Sequence, residues 1–390
     1  MHLRFAAPIV FAAASLGMAA TTAAAPDPAI KIAAPLTHEN LAIYLVRGRS
    51  AEGPIPATLE EALARGSVIV HETGNVRELR IENTGSEPVF IQFGDLVKGG
   101  QQDRVLTTSL LIPPHSGQIA IGAYCVEQGR WAKRGGEDSA KFSASNAQLF
   151  SRSAKVAIAR APMISQETRP SLGMRSPPDG RTSGEQNAVQ PPINQVRPAI
   201  EPPARDAQRI VQGVRPGSRS GQGEVWDSVS SAQLQLAARL AAPMASEKSR
   251  TSLQLTLENE RLLKAQAAFV TALEAKAAAD DDVIGVVIAI NGKVASADMY
   301  PSNGLFRKMW PKLVRAAATE ALAHPAKDAV APAGIAEVEA FLAAAESGQT
   351  STRALADIAQ HETRESADVL KVEARTAKGA WIHRNFLSAK

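Results

Sequence analysis

The sequence predicts an α+β fold: a β-rich first half, sandwich or barrel-like, joined in one domain with long helices and a C-terminal β-hairpin, helix and strand section. Short apolar runs bounded by turn residues fill the chain before residue 160 and are typical of a small sheet. Apolar residues recur at helical spacing from 226 to 279. Between these parts, residues 161–222 contain no Phe, Trp or Tyr, so they cannot form a core.

The N-terminus predicts export. A charged start, Met1 to Arg4, precedes an apolar run that ends in small residues, and Ala23-Ala24-Ala25 is a suitable cleavage site for signal peptidase. The run is shorter than the roughly 20 strongly apolar residues of a spanning helix, which favours a cleaved signal over an uncleaved anchor. We therefore expect residues 1–25 to be a signal peptide, and the mature bacterial protein to be soluble, periplasmic or secreted, without a transmembrane span.

Composition excludes several classes of function. The chain has 390 residues, a formal net charge of +4 and one cysteine, so no internal disulfide framework forms. The basic residues form no clustered stripe, which argues against nucleic-acid binding. The histidines are isolated and no dinucleotide or phosphate-loop glycine pattern occurs, so we expect no metal and no cofactor.

The first half, residues 26–160, is predicted to be mostly β. One helix interrupts it, because Thr58 and Glu61 form a capping-box pattern and Gly66 supplies a stop. The predicted strands are Leu41 to Val46, Ser67 to His71, Val76 to Glu82, Val89 to Phe93 and Gln118 to Ala123.

The insertion, residues 161–222, is predicted to be a flexible, solvated segment. Proline pairs such as Pro177-Pro178 and Pro191-Pro192 favour extended backbone. Its many arginines allow a second interpretation, a weak contact with an anionic surface such as lipid headgroups or polysaccharide.

The second half, residues 223–390, is predicted to begin with helices and to end with strands. Asn291-Gly292 is a hairpin signal between two strands, and Pro311 should kink its helix or mark the first turn. The predicted helices are Trp226 to Leu240, Ser246 to Ala279, Phe306 to Ala317 and Ile335 to Glu346, and the predicted strands are Val283 to Ile290, Lys293 to Met299, Ala367 to Ala374 and Ala380 to Leu387.

The densest polar cluster runs from Gly94 to Arg104 and is predicted to be a surface turn. Gly99 and Gly100 allow backbone N–H groups to converge on an anion, which Lys98 and Arg104 would neutralise. The alternative is a structural hairpin that carries a buried Gln and Arg network.

A second cluster follows an apolar strand and contains Cys125, Glu127 and Arg130. A thiol beside an arginine can have a lowered pKa and act as a nucleophile. That chemistry needs a base, for which His115, His71 and His383 are the candidates. The alternative is a buried cysteine that behaves as a small hydrophobic residue.

These clusters resemble a known family. The Gly-Gly-x-Gln-x-Arg core within Asp95 to Arg104, the run Cys125 to Trp131, Val225-Trp226-Asp227 and the block from Ile284 to Leu313 look like the ARG and rhodanese-phosphatase-superfamily-associated protein domain. In that pattern the glutamine corresponds to Gln102. The resemblance implies one domain that includes both sides of the insertion, and it implies no particular activity.

Three functions stay open at this point. We expect a non-catalytic protein that binds a small anionic or polar ligand, or a protein partner, through the two clusters. The alternatives are a hydrolase or transferase that uses Cys125 or Glu127 with Arg104 and Arg130, and a structural component of the cell envelope. The candidate binding residues are Asp95, Gly99, Gly100, Gln102, Arg104, Arg130 and Trp131.

Overall fold

The computed structural model describes residues 30–130, 134–136, 141–161, 221–277, 280–355 and 357–390. The predicted signal peptide, Trp131 and the insertion from 162 to 220 lie outside the described residues.

The elements are numbered in chain order. The strands before residue 150 are β1 (Lys31–Ile32), β2 (Leu36–His38), β3 (Leu41–Arg47), β4 (Ala57–Thr58), β5 (Val68–Glu72), β6 (Glu78–Asn83), β7 (Val89–Ile91), β8 (Asp95–Gly99), β9 (Arg104–Leu106), β10 (Leu110–Ile112), β11 (Gln118–Cys125) and β12 (Phe142–Gln148). The strands after residue 280 are β13 (Val283–Ile290), β14 (Lys293–Met299), β15 (Gln349–Leu355), β16 (Ala359–Glu365), β17 (Val369–Thr376) and β18 (Trp381–Ser388). The helices are α1 (Leu59–Ala64), α2 (Arg152–Arg160), α3 (Gly221–Leu240), α4 (Leu253–Leu257), α5 (Glu260–Ala277), α6 (Asn303–Ala323) and α7 (Ile335–Ala344).

The largest sheet combines strands from both sides of the insertion. Its nine strands include the order β1-β3-β13-β14-β18-β17-β16-β15, with β2 beside β3. Strand β3 pairs antiparallel with β13, so Tyr44 lies opposite Val287 across more than two hundred residues of chain. A six-stranded sheet, β12-β8-β9-β11-β6-β5, and a three-stranded sheet, β10-β7-β4, complete the β structure. The predicted α+β class is confirmed, and the strand-rich first half forms a curled half-barrel.

The nine-stranded sheet has a core on each face, because successive side chains of a strand point to opposite sides. On one face Ile43 and Leu45 pack in the core that contains helices α5 and α6. On the opposite face Tyr44 and Val46 pack with Val338 of α7. The first face holds the larger core, and among the described residues the second is covered by α7 with the residues next to its two ends, Ala333 and Ala345.

Local signals in the sequence placed several elements correctly. Thr58 caps α1 by accepting from Glu61 N at 3.2 Å, and Glu61 Oε2 accepts in return from Thr58 N at 2.8 Å. The hairpin between β13 and β14 turns at Asn291 and Gly292, with φ of 52° and 72°. Positive φ at both positions is the requirement of the tight turn that Asn-Gly predicts.

The single helix predicted from Ser246 to Ala279 was wrong, because two polar side chains divide it. Ser252 caps α4 by accepting from Leu255 N at 3.1 Å, and Asn259 accepts from Arg261 N at 3.0 Å where α5 starts. Such side chains compete with helical hydrogen bonding and favour the start of a new helix.

Pro311 lies inside α6, so it does not mark the first turn of the helix; a position inside the helix is the one that the predicted kink requires. The helix starts earlier than predicted, at Asn303, because Ser302 caps it by accepting from Leu305 N at 3.2 Å. Buried residues on both sides of the proline, Phe306 and Leu313 among them, hold the helix in the core.

The ends of the insertion adjoin each other. Helix α2 ends at Arg160 and α3 begins at Gly221, and a Cβ atom on Gly221 would lie 3.0 Å from Cβ of Ala161. Helix α3 therefore starts five residues before the predicted Trp226.

Within the described residues, the structure contains no helix with the length and hydropathy that crossing a bilayer requires.

Candidate functional site

The polar cluster from Gly94 to Arg104 is buried, so the prediction of a surface turn was wrong. Its residues form strands β8 and β9 and the connection between them. Gln102, Asp103 and Arg104 are each only 1% exposed. Most polar side chains of this connection make hydrogen bonds or ion pairs inside the fold.

Two carboxylates and two arginines form the centre of this region, which we call the charge network: Asp103, Glu127, Arg130 and Arg134. Arg134 donates to both oxygens of Asp103, at 2.8 and 3.1 Å. Arg130 donates from Nε to Glu127 Oε2 at 2.7 Å. Each carboxylate therefore has a close guanidinium partner, and the network is neutral as a whole.

Ser252, at the start of α4, completes the surroundings of Asp103. Its hydroxyl donates to Asp103 Oδ2 at 2.8 Å while the same oxygen caps the helix. One hydroxyl thus connects the second half of the chain to the charge network of the first.

The two glycines do not form the predicted anion site. Gly99 N donates to Asp103 Oδ1 at 2.9 Å and Gly100 N donates to Lys141 O at 2.9 Å, so both N–H groups are occupied. Their carbonyl oxygens accept from Arg130 at 3.2 Å each. Glycine is required here for close packing, because a Cβ on Gly99, which has φ +113°, would lie 2.5 Å from Lys141 O.

Gln102 and Arg104 are partly satisfied. Gln102 Nε2 donates to Glu127 O at 2.9 Å, and Arg104 donates to Gln102 O at 2.9 Å and lies 3.5 Å from a carboxylate oxygen of Glu72. Gln102 Oε1 and Arg104 Nε have no hydrogen-bond partner among the described residues. This arrangement matches the predicted alternative, a hairpin with a buried Gln and Arg network.

Cys125 is buried, as the alternative of a cysteine that behaves as a small hydrophobic residue predicts. Burial raises the pKa of the Cys125 thiol to about 11, against an opposing effect of the Arg104 charge. The side chain of Gln222 bonds both backbone groups of Cys125, accepting at 2.9 Å and donating at 2.8 Å. A pKa of about 11 favours the protonated thiol at neutral pH, which is the state of a buried cysteine that packs as a small hydrophobic residue.

Two of the three candidate bases for Cys125 have other partners. His71 lies 3.1 Å from Glu82, and His383 lies 3.1 Å from Asp298. His115 is in an exposed turn with φ of 48°.

Asp95 lies apart from Gly99, Gly100, Gln102 and Arg104, with which it was predicted to form one cluster. It accepts from Lys312 Nζ at 3.1 Å and from Gln92 N at 2.9 Å, at the opposite end of β8 from Gly99. The candidate site residues are thus divided between two buried regions.

The second buried region was missed by sequence reasoning. We call it the interior polar network: Gln92, Ser109, Asp298, His383 and Asn385. His383 Nε2 lies 3.1 Å from Asp298 Oδ1, and its Nδ1 lies 2.9 Å from Ser109 Oγ. Burial opposes ionisation of Asp298, but the hydrogen bonds from His383 and Asn385 and the Lys155 charge hold its pKa below the ordinary value.

Ser109, His383 and Asp298 have the residue types of a hydrolytic triad, but their placement is that of a structural contact. The three residues are 2%, 1% and 1% exposed. Ser109 Oγ also accepts from Phe93 N at 2.8 Å. A nucleophilic serine must reach a substrate carbonyl, whereas this hydroxyl joins the first half of the chain to β18.

An open cavity of about 830 Å³ lies beside the end of β11, and we call it the basic cleft. Its cationic lining residues are Arg77, Arg152, Arg160 and Lys390, and its acidic ones are Glu224 and Asp227. Arg77 donates to Tyr124 Oη at 3.2 Å, next to Cys125. The lining therefore carries more positive than negative charge and is open to solvent.

The fold and these clusters define an α+β protein with two buried polar networks and an open basic cleft. Its sequence matches the family model ARPP-1, the ARG and Rhodanese-Phosphatase-superfamily-associated Protein domain, over residues 29–387. The chain belongs to this family, which confirms the predicted resemblance. Comparisons with curated proteins and with solved structures gave no match. Within the part of the chain that the structure describes, no three His, Cys, Asp or Glu side chains are grouped to hold a metal ion.

Proposed function

We propose that this chain is an exported, non-catalytic protein that binds a small anionic ligand in the basic cleft. The cleft is the observation that supports the proposal. Its volume, about 830 Å³, is of the size that small-molecule sites have. Cationic side chains around such an opening attract and orient an anion.

The arginines of the cleft differ from those that the sequence favoured. Arg160 pairs with Glu365 outside the cleft lining, and its side chain is 46% exposed. The guanidinium of Arg152 donates to backbone oxygens of Ser388 and Lys390. Arg104 and Arg130, in contrast, are buried beside carboxylates: Arg104 beside Glu72, which is 15% exposed, and Arg130 beside the fully buried Glu127. The pair of Arg160 with Glu365 is exposed and therefore weak, so an incoming anion displaces it at a lower cost than the buried pair of Arg130 with Glu127.

Binding without chemistry is supported by the state of the proposed nucleophile. Cys125 is 1% exposed and its pKa is raised to about 11 by burial. Glu127 is fully buried and paired with Arg130 and Arg134. Both side chains are thus shielded from solvent, which supports binding without chemistry.

The binding proposal is tested by titrating the protein with inorganic phosphate and pyrophosphate by calorimetry. We expect pyrophosphate to bind more tightly than phosphate, and Arg152→Gln to weaken it about tenfold, the value of one charge-assisted hydrogen bond. Arg307→Gln is the matched control, because Arg307 is an exposed arginine that pairs with Asp281 outside the cleft. Equal affinities of both variants, or no binding of either anion, would contradict the proposal.

Export is tested separately by determining the N-terminus of the mature protein by mass spectrometry. Cleavage after Ala25 gives a mature chain that begins at Pro26 in the extracytoplasmic fraction. A protein that keeps Met1 and stays in the cytoplasm would overturn this part of the proposal.

A further inference from the structure

The two edges of the nine-stranded sheet are built differently. At one edge, β1 and β2 both pair with β3, and these strands have only two and three residues. At the other edge, β15 has seven residues, and no strand of the described residues pairs with its outer side. An edge strand leaves the backbone N–H and C=O groups of its outer side open to pairing with another chain.

The edges of the other two sheets are short, irregular or covered. Strand β4 has two residues and β10 has three. The register of β12 with β8 shifts between Ala144 and Gln148, and β5 lies against α1. Short strands, irregular register and covering elements are usual ways in which proteins prevent sheet edges from pairing. Among the described strands, β15 is the edge without these three protections.

Strand β15 is regular and nearly neutral. Its seven residues, Gln349 to Leu355, all pair with β16 without a shift in register. The strand contains no proline, and Arg353 is its single charged residue. The four residues from Gln349 to Thr352 are exposed. Because successive side chains of a strand point to opposite sides, both faces of this part are open to solvent, which leaves room for a further strand beside it.

We propose that β15 pairs with β15 of a second copy of this chain, antiparallel and about a two-fold axis at Thr352. Thr352 is the middle residue of the strand, so this pairing uses all seven residues of each copy. The same surface of both copies forms the interface, as a two-fold axis requires. Two nine-stranded sheets thereby join into one continuous sheet through main-chain hydrogen bonds.

The residues of β15 suit pairing with themselves. About this axis Thr352 lies opposite Thr352 of the second copy, Ser351 lies opposite Arg353, and Thr350 lies opposite Ala354. Pairs of threonines stabilise neighbouring strands, whereas like charges directly opposite destabilise them, and this register brings no like charges together. The interface shares no residue with the basic cleft, so the proposal is independent of the proposed function.

The contact of Ser351 with Arg353 of the second copy provides the test, because the two-fold axis repeats it in each dimer. Ser351→Glu places a carboxylate opposite Arg353 and should tighten the dimer, and Ser351→Lys places a like charge there and should weaken it. We expect the dissociation constants of the two variants to differ by about tenfold. Analytical ultracentrifugation of the purified protein over a range of concentrations measures them.

Thr350→Glu and Thr350→Lys are the matched controls, because residue 350 is exposed on the same strand but lies opposite the neutral Ala354. Their dissociation constants should be similar to each other. A protein that stays monomeric at every concentration, with Ser351→Glu also monomeric, would overturn the proposal. A dimer with equal dissociation constants for Ser351→Glu and Ser351→Lys would place the interface elsewhere and would overturn it as well.

Discussion

The charge network and the basic cleft both adjoin the end of β11, yet their arginines are in opposite situations. Arg134 is 2% exposed and bonds two oxygens of Asp103, whereas Arg160 is 46% exposed and makes its ion pair with a surface glutamate. The first arrangement stabilises the connection between β8 and β9. The second arrangement keeps the guanidinium of Arg160 exposed, where an anion from solution can reach it. An arginine beside a glycine turn is therefore not by itself a ligand site, because the nearest carboxylates decide its role.

The largest expected effect is the loss of one carboxylate from the charge network. If the protein tolerated that loss, the contrast between a structural network and a ligand-binding cleft would be wrong. Asp103→Asn removes the charge that compensates Arg134 but keeps the shape of the side chain. Removing one partner of a buried ion pair costs roughly 3–5 kcal/mol, so we expect a loss of that size in the free energy of unfolding. Urea denaturation measures it.

Asp281→Asn is the control for this prediction, because the side chain of Asp281 is 96% exposed in its pair with Arg307. We expect no measurable change in stability for the control. A similar small effect for Asp103→Asn would show that the network is not structural.

Acid should lower the stability of the fold through His361, which is buried near the interior polar network. Burial lowers the pKa of His361 to about 4 from its ordinary value of 6.5. Below pH 6.5 His361 binds a proton in the unfolded chain but stays neutral in the folded chain. The free energy of unfolding therefore decreases as pH falls from 6.5 to about 4. At about 1.36 kcal/mol per pKa unit, the loss from this group reaches about 3 kcal/mol. Asp298, whose pKa is also lowered, adds a loss of the same sign at lower pH.

Urea unfolding of His361→Gln between pH 7 and pH 4 checks this prediction. The variant should lose the His361 part of the pH dependence, while His115→Gln, which alters an exposed histidine, serves as the control. An unchanged pH dependence in His361→Gln would contradict the assignment.

The Cys125 thiol is a buried group, so we expect it to be far less reactive than a solvent-exposed thiol would be. Its raised pKa, about 11, and its burial predict negligible reaction with iodoacetamide at pH 7.5 in the folded protein. Mass spectrometry should detect alkylation only after denaturation. Rapid alkylation of the native protein would contradict this prediction and support the hydrolase or transferase alternative.

The smallest expected effect on stability is in the basic cleft. Arg160→Ala removes an exposed pair with Glu365, and such pairs contribute at most about 0.5 to 1 kcal/mol. We expect the urea midpoint to stay nearly constant while pyrophosphate affinity falls. A large loss of stability would mean that Arg160 is structural, as Arg134 is.

The elements that depend on neighbouring residues were predictable from the sequence. The capping pair Thr58 and Glu61 and the Asn291-Gly292 turn each act over a few residues, and both formed as predicted. Strand β15 was missed because it is the edge strand of its sheet and mostly exposed, so it has no apolar alternation.

The sites were less predictable because their partners are distant in sequence. Arg134 bonds Asp103 across 31 positions and Ser252 does so across 149. The spacing of Asp95 and Asp103 suggested one cluster, but a strand separates them. One signal for the interior polar network was present: His383 and Asn385 are two residues apart in β18, which places both on one face of the strand, and both are buried.

The most direct measurement compares pyrophosphate binding by Arg152→Gln and by Arg130→Lys, each shown to be folded by circular dichroism. Arg130→Lys keeps the buried charge but not the geometry of the guanidinium. The account predicts that Arg152→Gln loses about tenfold in affinity, and that Arg130→Lys binds as the unaltered protein does. Loss of binding in Arg130→Lys with full binding in Arg152→Gln would contradict it and return the ligand site to the charge network.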